Sequence, residues 1–333
     1  MHTPFHALVV RQQDGQAHAA LETLAADQLS PGEVTLRTRY AGMNYKDCLS
    51  LLGKARIISS YPRIPGIEAV GEVIASDDSA FSPGDAVLVH GFQTGIDFDG
   101  GLSEVMRVPA RHLQHVPEGL TPRQAAIIGV PGFTAAMALE RFETWGLRPG
   151  DGPIAVTGAG GAVGRLAIHI LSRAGYRVAA LTRDLAQADA LRALGASDVL
   201  DASLALAPPR PLEKARFAAA IDNVGGGTLA WLLRSMQDGG LVASVGNAAG
   251  NTFDGSVLPF IMRRVHLFGV VANATWEERR RLWHKLAQDW APDFAALAPD
   301  VHEIGLADVL AHAQRQLAGA TSGRTLVAFG EAA

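Results

Sequence analysis

Three glycines spaced three apart, Gly158, Gly161 and Gly164, lie between the apolar run Ile154-Ala155-Val156-Thr157 and the stretch Arg165-Leu166-Ala167-Ile168-His169-Ile170-Leu171. The first run has strand composition and the second places its apolar residues as a helix does, so the glycines read as a tight strand-to-helix turn. The first amides of a helix have no partner of their own, and the helix dipole favours a negative group beside them. Glycine removes the side chains that would keep a pyrophosphate from that backbone or the helix from its strand. The spacing is Gly-x-x-Gly-x-x-Gly, with Gly160 at the second glycine position of the commoner Gly-x-Gly-x-x-Gly form. Gly158, Gly160, Gly161, Ala162, Val163 and Gly164 are therefore the candidate phosphate-binding residues.

A second strand, Tyr176 to Thr182, ends roughly twenty residues after the glycines, where a dinucleotide fold places its ribose-reading residue. An acid there would select NAD. Thr182-Arg183 instead offers a hydroxyl and a guanidinium suited to a 2′-phosphate, so the expected cofactor is NADPH, with Asp184 capping the next helix.

The elements that position this turn follow along the chain. The first third reads as β-rich: Ala7 to Val10, Val34 to Tyr40, Gly66 to Ile74 and Asp85 to Val89, joined by turns such as Ser30-Pro31-Gly32 and Ser82-Pro83-Gly84-Asp85. Irregular short strands of this kind suggest a compact, partly closed barrel. From Thr121-Pro122 helices alternate with strands, and Pro131-Gly132 is expected to precede a second helical run, Phe133 to Phe142. Strands at 197–200, 218–224, 240–245 and 265–271 bring the count to six, a doubly wound sheet. The stretch 202–216, with three prolines, reads as a connection; 275–288 reads as a charged helix whose Arg279-Arg280-Arg281 run is a solvated face. A final helix, 306–317, and strand, 324–329, are expected to return to the first domain. The domains expected are thus 1–124 with 303–333, and 125–302, with a substrate cleft between them.

At 333 residues and a formal net charge of −4 the chain suits two domains and offers no evident nucleic-acid surface. No run of eighteen apolar residues occurs, and the N-terminus lacks a secretory pattern, so neither membrane nor export is expected and the location expected is cytoplasmic. Cys48 is the only cysteine, which removes an internal disulfide and a four-cysteine zinc lobe; within Lys46 to Leu52 it reads as a small buried apolar residue.

The order of these motifs carries a resemblance. The barrel with Gly66-Ile67-Glu68-Ala69-Val70-Gly71-Glu72-Val73, then Gly100-Gly101-Leu102-Ser103-Glu104 and Val108-Pro109-Ala110, then Val156 to Gly164, resembles the medium-chain dehydrogenase/reductase superfamily over nearly the whole chain. Ala41-Gly42-Met43-Asn44-Tyr45-Lys46-Asp47, Gly129 to Ala136 and Gly323-Arg324-Thr325-Leu326-Val327 are similar to its zinc-free quinone oxidoreductase branch, in particular the acrylyl-CoA reductase group. The implied fold is α/β: a GroES-like β-barrel catalytic domain plus a six-stranded doubly wound Rossmann domain.

Zinc enzymes of the superfamily carry a cysteine ligand near Tyr45 and Gly-His-Glu where this chain has Gly66-Ile67-Glu68, and isoleucine cannot coordinate a metal. Glu68 alone is too little, so no metal site is expected. Without a metal the feasible chemistry is reduction of a carbon-carbon double bond conjugated to a carbonyl: hydride from NADPH to the β-carbon, charge to the carbonyl oxygen, a proton to the α-carbon. The candidate polar residues lie in the segment replacing the zinc-ligand loop: Asn44 to hold cofactor or substrate carbonyl, Tyr45 to donate a proton or order a water, Asp47 to orient either. Asn223, Gly246 and Arg324 complete the expected cofactor set.

One departure bears on the acceptor. Relatives of the acrylyl-CoA type tend to carry Asp-Ser after the sixth-strand glycine, where this chain has Val271-Ala272-Asn273. Arg56, Arg63, Arg263 and Arg264 are the available cations for a CoA, with no pattern choosing among them. The expected partner set is a small acceptor, acrylyl-CoA or a quinone, and a second copy paired through the sixth strand. A non-catalytic NADPH-binding module is the opposing class.

Overall fold

The computed structural model describes residues 3–330 except Pro209, and this chain divides into two compact units. The first comprises the described residues up to Val130 and those from Pro299 on; the second is Pro131–Ala298. Its edges fall a few residues from the expected 124/125 and 302/303. The helical stretch Pro122–Thr144 explains the first shift: it starts in one unit, is interrupted at Gly129 (φ 41°, ψ −152°), and continues into the other. The break is one turn's fraction earlier than Pro131-Gly132, because Pro131 is carried inside the helix. Thr121 caps this stretch, its hydroxyl accepting from Gln124 N while Gln124 Oε1 accepts from Thr121 N. It is long and apolar enough to cross a membrane by length and composition, yet 78% of its apolar window is buried inside the protein, as in a core helix.

The first unit is built on a sheet of strand order Val301–Ile304, Arg324–Ala328, Val34–Gly42, Glu68–Ser76, Ala86–His90, Gln114–His115 among the described residues. Val34–Gly42 also pairs along its first half with Val105–Val108, while its last residues pair with Arg324–Ala328. Two register shifts, at Thr35/Leu36 and Thr38/Tyr40, let the strand bend enough to serve both partners. A hairpin, Phe5–Gln13 with Gln16–Leu24, closes through Asp14-Gly15, both at positive φ; its second strand is largely exposed and lacked the apolar alternation that marks a strand in sequence.

The short helix Tyr45–Leu51 is fixed by what it buries. Met43, Cys48 and Leu51 pack with Leu102, Val309, Ala313 and Val327, so the returning helix Val309–Leu317 and strand Arg324–Ala328 hold it from below. Cys48 is buried as expected; its thiol donates to Gln316 Oε1 at 3.2 Å, and burial pushes it up to about 12.

The second unit has a six-stranded sheet of order Asp198–Asp201, Val178–Thr182, Ile154–Val156, Phe217–Asp222, Met236–Ser244, His266–Gly269, parallel at every pairing. Chain order 3-2-1-4-5-6 reverses direction beside Ile154–Val156, and in such sheets ligands sit beyond the carboxyl ends at that reversal. Ala155, Leu181, Phe217, Trp231, Leu232 and Val242 form part of its core. The arginine run departs from the solvated face expected: in the helix Trp276–Ala287, Arg279 is buried against the rings of Phe133 and Trp276, which lowers it to about 10, and Arg281 pairs with Glu140.

Candidate functional site

Each unit carries a polar cluster where its strands end. In the second, Ile154–Val156 runs into Gly158 at φ +59°, and the helix Ala162–Arg173 starts from Gly161 as N-cap. A Cβ on Gly164 would stand 2.4 Å from Gly158 O and 2.7 Å from Ala159 Cα, so the helix lies against the turn only because that side chain is missing. Asn223 and Gly246 join the same place from the next two strands. Asn223 N donates to Thr157 Oγ1 and Nδ2 to Thr157 O, while a Cβ on Gly246 would meet Asn223 O at 2.4 Å. Asp222 is wholly buried behind them, accepting from Thr157 Oγ1 at 2.6 Å and from the amides of Val224 and Gly225; burial raises its pKa.

Asn223 Oδ1 is buried and has no hydrogen-bond partner. An orphaned acceptor beside a glycine turn with open helix amides fits a dinucleotide, whose phosphates match the amides and whose hydroxyl or amide hydrogens match that oxygen. At the ribose-reading position the hydroxyl of Thr182 is spent locally, donating to Asp184 O and accepting from Asp184 N. Arg183 is exposed and makes no ion pair among the described residues, and Asp184 caps the next turn through Ala186 N. Sequence reasoning missed Arg165 and Gln187. Arg165, buried in the first turn of the glycine helix, donates to Gly160 O and to Gln187 Oε1, and Gln187 in turn donates to Asp184. An arginine where the helix dipole disfavours a cation was the available signal.

In the first unit the centre is Glu68, 4% exposed. Its Oε1 accepts from Asn44 Nδ2 at 2.7 Å and from Arg324 Nη2 at 2.8 Å, and its Oε2 accepts from Val130 N at 2.7 Å. The break at Gly129 presents that amide, and Arg324 also donates to Ala126 O, a carbonyl of the turn before the break. Two glycines make the room: a Cβ on Gly42 would stand 2.1 Å from Arg324 Nη2, and one on Gly129 the same distance from Glu68 Oε2. The resulting ion pair is buried on both sides, with Arg324 Nη1 left without a partner.

Asp47 is the second buried carboxyl. Its Oδ2 accepts from Asn44 N and its Oδ1 from Ile67 N, both at 3.0 Å. Burial pushes it up to about 7; the Asn44 amide bond opposes that rise and the charge of Glu68 adds to it. Asn44 is thus held by both carboxyls, one through its backbone and the other through its side chain, whereas Tyr45, first in the helix, is 39% exposed. Among the described residues no three His, Cys, Asp or Glu side chains converge as a metal set would. Of the four cations considered for CoA, Arg63 is bound to Asp99 and Ser30, Arg263 to the carbonyls of Glu213, Arg234 and Met236, and Arg264 to Asp238; Arg56 alone of the four is exposed without such a partner among the described residues.

Residues 30–118 match the alcohol dehydrogenase GroES-like domain model and residues 162–288 the zinc-binding dehydrogenase model. The chain is 42% identical to the probable acrylyl-CoA reductase AcuI of Escherichia coli over 96% of its own length and 98% of the relative's. It belongs to the medium-chain dehydrogenase/reductase superfamily, in the zinc-free group of acrylyl-CoA reductase and quinone oxidoreductase relatives. Other members of that group include the acrylyl-CoA reductase AcuI of Ruegeria pomeroyi, 38% identical over 97% of this chain and 98% of that one, and the putative quinone oxidoreductase YhfP of Bacillus subtilis, 37% identical over 88% and 89%. Among solved structures, E. coli YhdH with bound NADPH superposes with a TM-score of 0.93 at 40% identity, covering 97% of this chain and all of that one. Alcohol dehydrogenases of the superfamily, such as that of Pyrobaculum aerophilum at 22% identity and a TM-score of 0.79, share the fold.

Proposed function

We propose that the protein is an NADPH-dependent, zinc-independent reductase of carbon-carbon double bonds conjugated to a carbonyl, with acrylyl-CoA or a related enoyl thioester as acceptor. The observation that carries the reading is the match, over nearly the full length of both chains, to relatives named acrylyl-CoA reductase. The geometry agrees. Bound NADPH supplies the hydride. The protein's part is to hold the phosphates on the first helix amides, Ala162, Val163 and Gly164, with Gly158, Gly160 and Gly161 forming the turn that clears the approach, and to accept a hydrogen bond at Asn223 Oδ1 beside Gly246. Arg183, exposed and unpaired, meets the 2′-phosphate, while Thr182 shapes the turn rather than donating. Glu68 has both oxygens committed to Asn44, Arg324 and Val130, so it polarises nothing by itself; Tyr45 or a water it orders supplies the α-carbon proton. Arg324 serves the cofactor only indirectly, through the backbone it ties.

A quinone acceptor is the second reading. It is favoured by the exposed Val271 at the end of the sixth strand and by the commitment of three of the four cations available to a CoA. The test is NADPH oxidation with acrylyl-CoA, crotonyl-CoA, an enone and a quinone side by side, repeated with NADH. Acrylyl-CoA turnover selective for NADPH supports the first reading, quinone turnover alone the second, and stoichiometric binding without oxidation a non-catalytic NADPH module. The location proposed is cytoplasmic.

A homodimer is part of the same proposal. His266–Gly269 is the end strand of its sheet, paired on one side only among the described residues. The preceding helix Leu258–Arg263 exposes Phe260, Ile261 and Met262, and Val257 and Val271 flank it. An unpaired strand edge beside apolar side chains suits a second copy better than water. Light scattering that finds a monomer at working concentration removes this part.

A further inference from the structure

The orientation of the Asn44 side chain decides what it can do, and its neighbours fix that orientation. One end of the amide faces two acceptors at once, Glu68 Oε1 at 2.7 Å and Gly42 O at 3.3 Å. A carboxylate and a carbonyl both require a donor, so that end is the NH2 and both its hydrogens are spent. Turning the amide over would set its oxygen against two oxygens. The helix's first turn does not occupy Oδ1 either: Asp47 N and Cys48 N both donate to the backbone carbonyl of Asn44. What remains is a half-buried amide oxygen that only accepts. This differs from the role of carbonyl holder expected for Asn44, since a substrate carbonyl or its enolate oxygen needs a donor.

We infer that Asn44 acts in the site as a hydrogen-bond acceptor, holding through Oδ1 one O–H of a water whose other O–H delivers the α-carbon proton, and that Glu68 is the positioning residue that locks it so. The inference rests on the reductase reading above. In the step it serves, the water's second O–H bond breaks as the α C–H bond forms; the hydroxide left behind takes a proton from solvent. Arg324 and the amide of Val130 hold Glu68 in place, and Asp47 fixes the backbone of Asn44 independently.

The test is truncation read by a solvent isotope effect. Asn44→Ala is expected to lower kcat/KM about 100-fold, in the range for loss of an acid-base arrangement. A raised solvent deuterium isotope effect on kcat at unchanged KM for NADPH supports the inference, and an unchanged isotope effect overturns it. Should that variant fail to fold, judged by circular dichroism, Asn44→Ser answers in the same two ways. Tyr45→Phe gives a second check: retention of the isotope response of Asn44→Ala supports a water as the donor, and its loss, which makes the phenol the donor, overturns the inference. Wild-type protein that oxidises NADPH with none of the acceptors fails the reductase reading instead.

Discussion

The two polar clusters are made in opposite ways. The glycine turn of the second unit is local: a strand, Gly158 to Gly164 and the helix they start form one run of sequence, and the groups offered are backbone amides freed by absent side chains. The cluster of the first unit draws on Gly42 to Asp47, Ile67-Glu68, Ala126 to Val130 and Arg324, four segments spread over nearly the whole chain, and its groups are charged side chains out of water. The first can be read by spacing because the chemistry is in the spacing. The second is visible only once topology sets Arg324–Ala328 against Val34–Gly42 and that strand against Glu68–Ser76.

If the second unit's site depends on close backbone approach, Gly164→Val should produce the largest effect. Its side chain has no room against Gly158 O, and NADPH affinity should fall at least about 100-fold as the helix lifts from the turn. Fluorescence titration with NADPH measures it; near-normal affinity would mean that the turn is not the phosphate cradle. In the first unit the matching break is Arg324→Leu, which leaves Glu68 buried and charged without its partner. Loss of one member of a buried pair costs about 3–5 kcal/mol, read as a fall in the urea midpoint at constant m-value.

A smaller change probes selectivity. Arg183→Ala removes an exposed guanidinium that makes no ion pair among the described residues, so stability should hold while the preference for NADPH over NADH drops by about 1.5–3 kcal/mol, roughly 10- to 150-fold in kcat/KM. A retained preference moves the 2′-phosphate contact elsewhere, with Arg165 the next candidate.

The smallest effect separates the carboxyls of the first unit. Asp47 stands at about 7 when folded and near 3.9 in an unfolded chain, so between those values the folded state holds a proton that the unfolded state has lost. The group's contribution to stability is therefore fullest at acid pH and is lost as pH rises toward 7. Asp47→Asn should flatten the decline in unfolding free energy between pH 4 and pH 7 by on the order of 1 kcal/mol or more. Equal slopes in variant and wild type would place its titration outside that window.

The six strands of a doubly wound sheet, the glycine turn, the returning C-terminal strand and the absence of a cysteine or histidine at the zinc-ligand positions were all legible in the sequence, whereas the order of the strands in the sheet came from the structure. Glu68 was read only as an incomplete metal ligand. An acid inside the alternating strand Glu68–Ser76 and an arginine opening Arg324–Ala328 were the signal that each needs a buried partner, but nothing in the spacing said that each was the other's. Gly129 shows the same limit. Pro131-Gly132 read as the approach to a second helical run, whereas the break sits at Gly129, where a side chain would strike Glu68. Arg279 looked solvated within a charged run because a sequence does not show that Phe133 and Trp276 cover it.

The most direct single measurement follows the hydride. With NADPH deuterated at the transferred C4 position and acrylyl-CoA as acceptor, reductive addition across the double bond predicts propionyl-CoA carrying one deuterium on the β-carbon and none on the α-carbon, by mass spectrometry and NMR. Acrylyl-CoA left unreacted while NADPH is bound, or a product without label at the β-carbon, would contradict it.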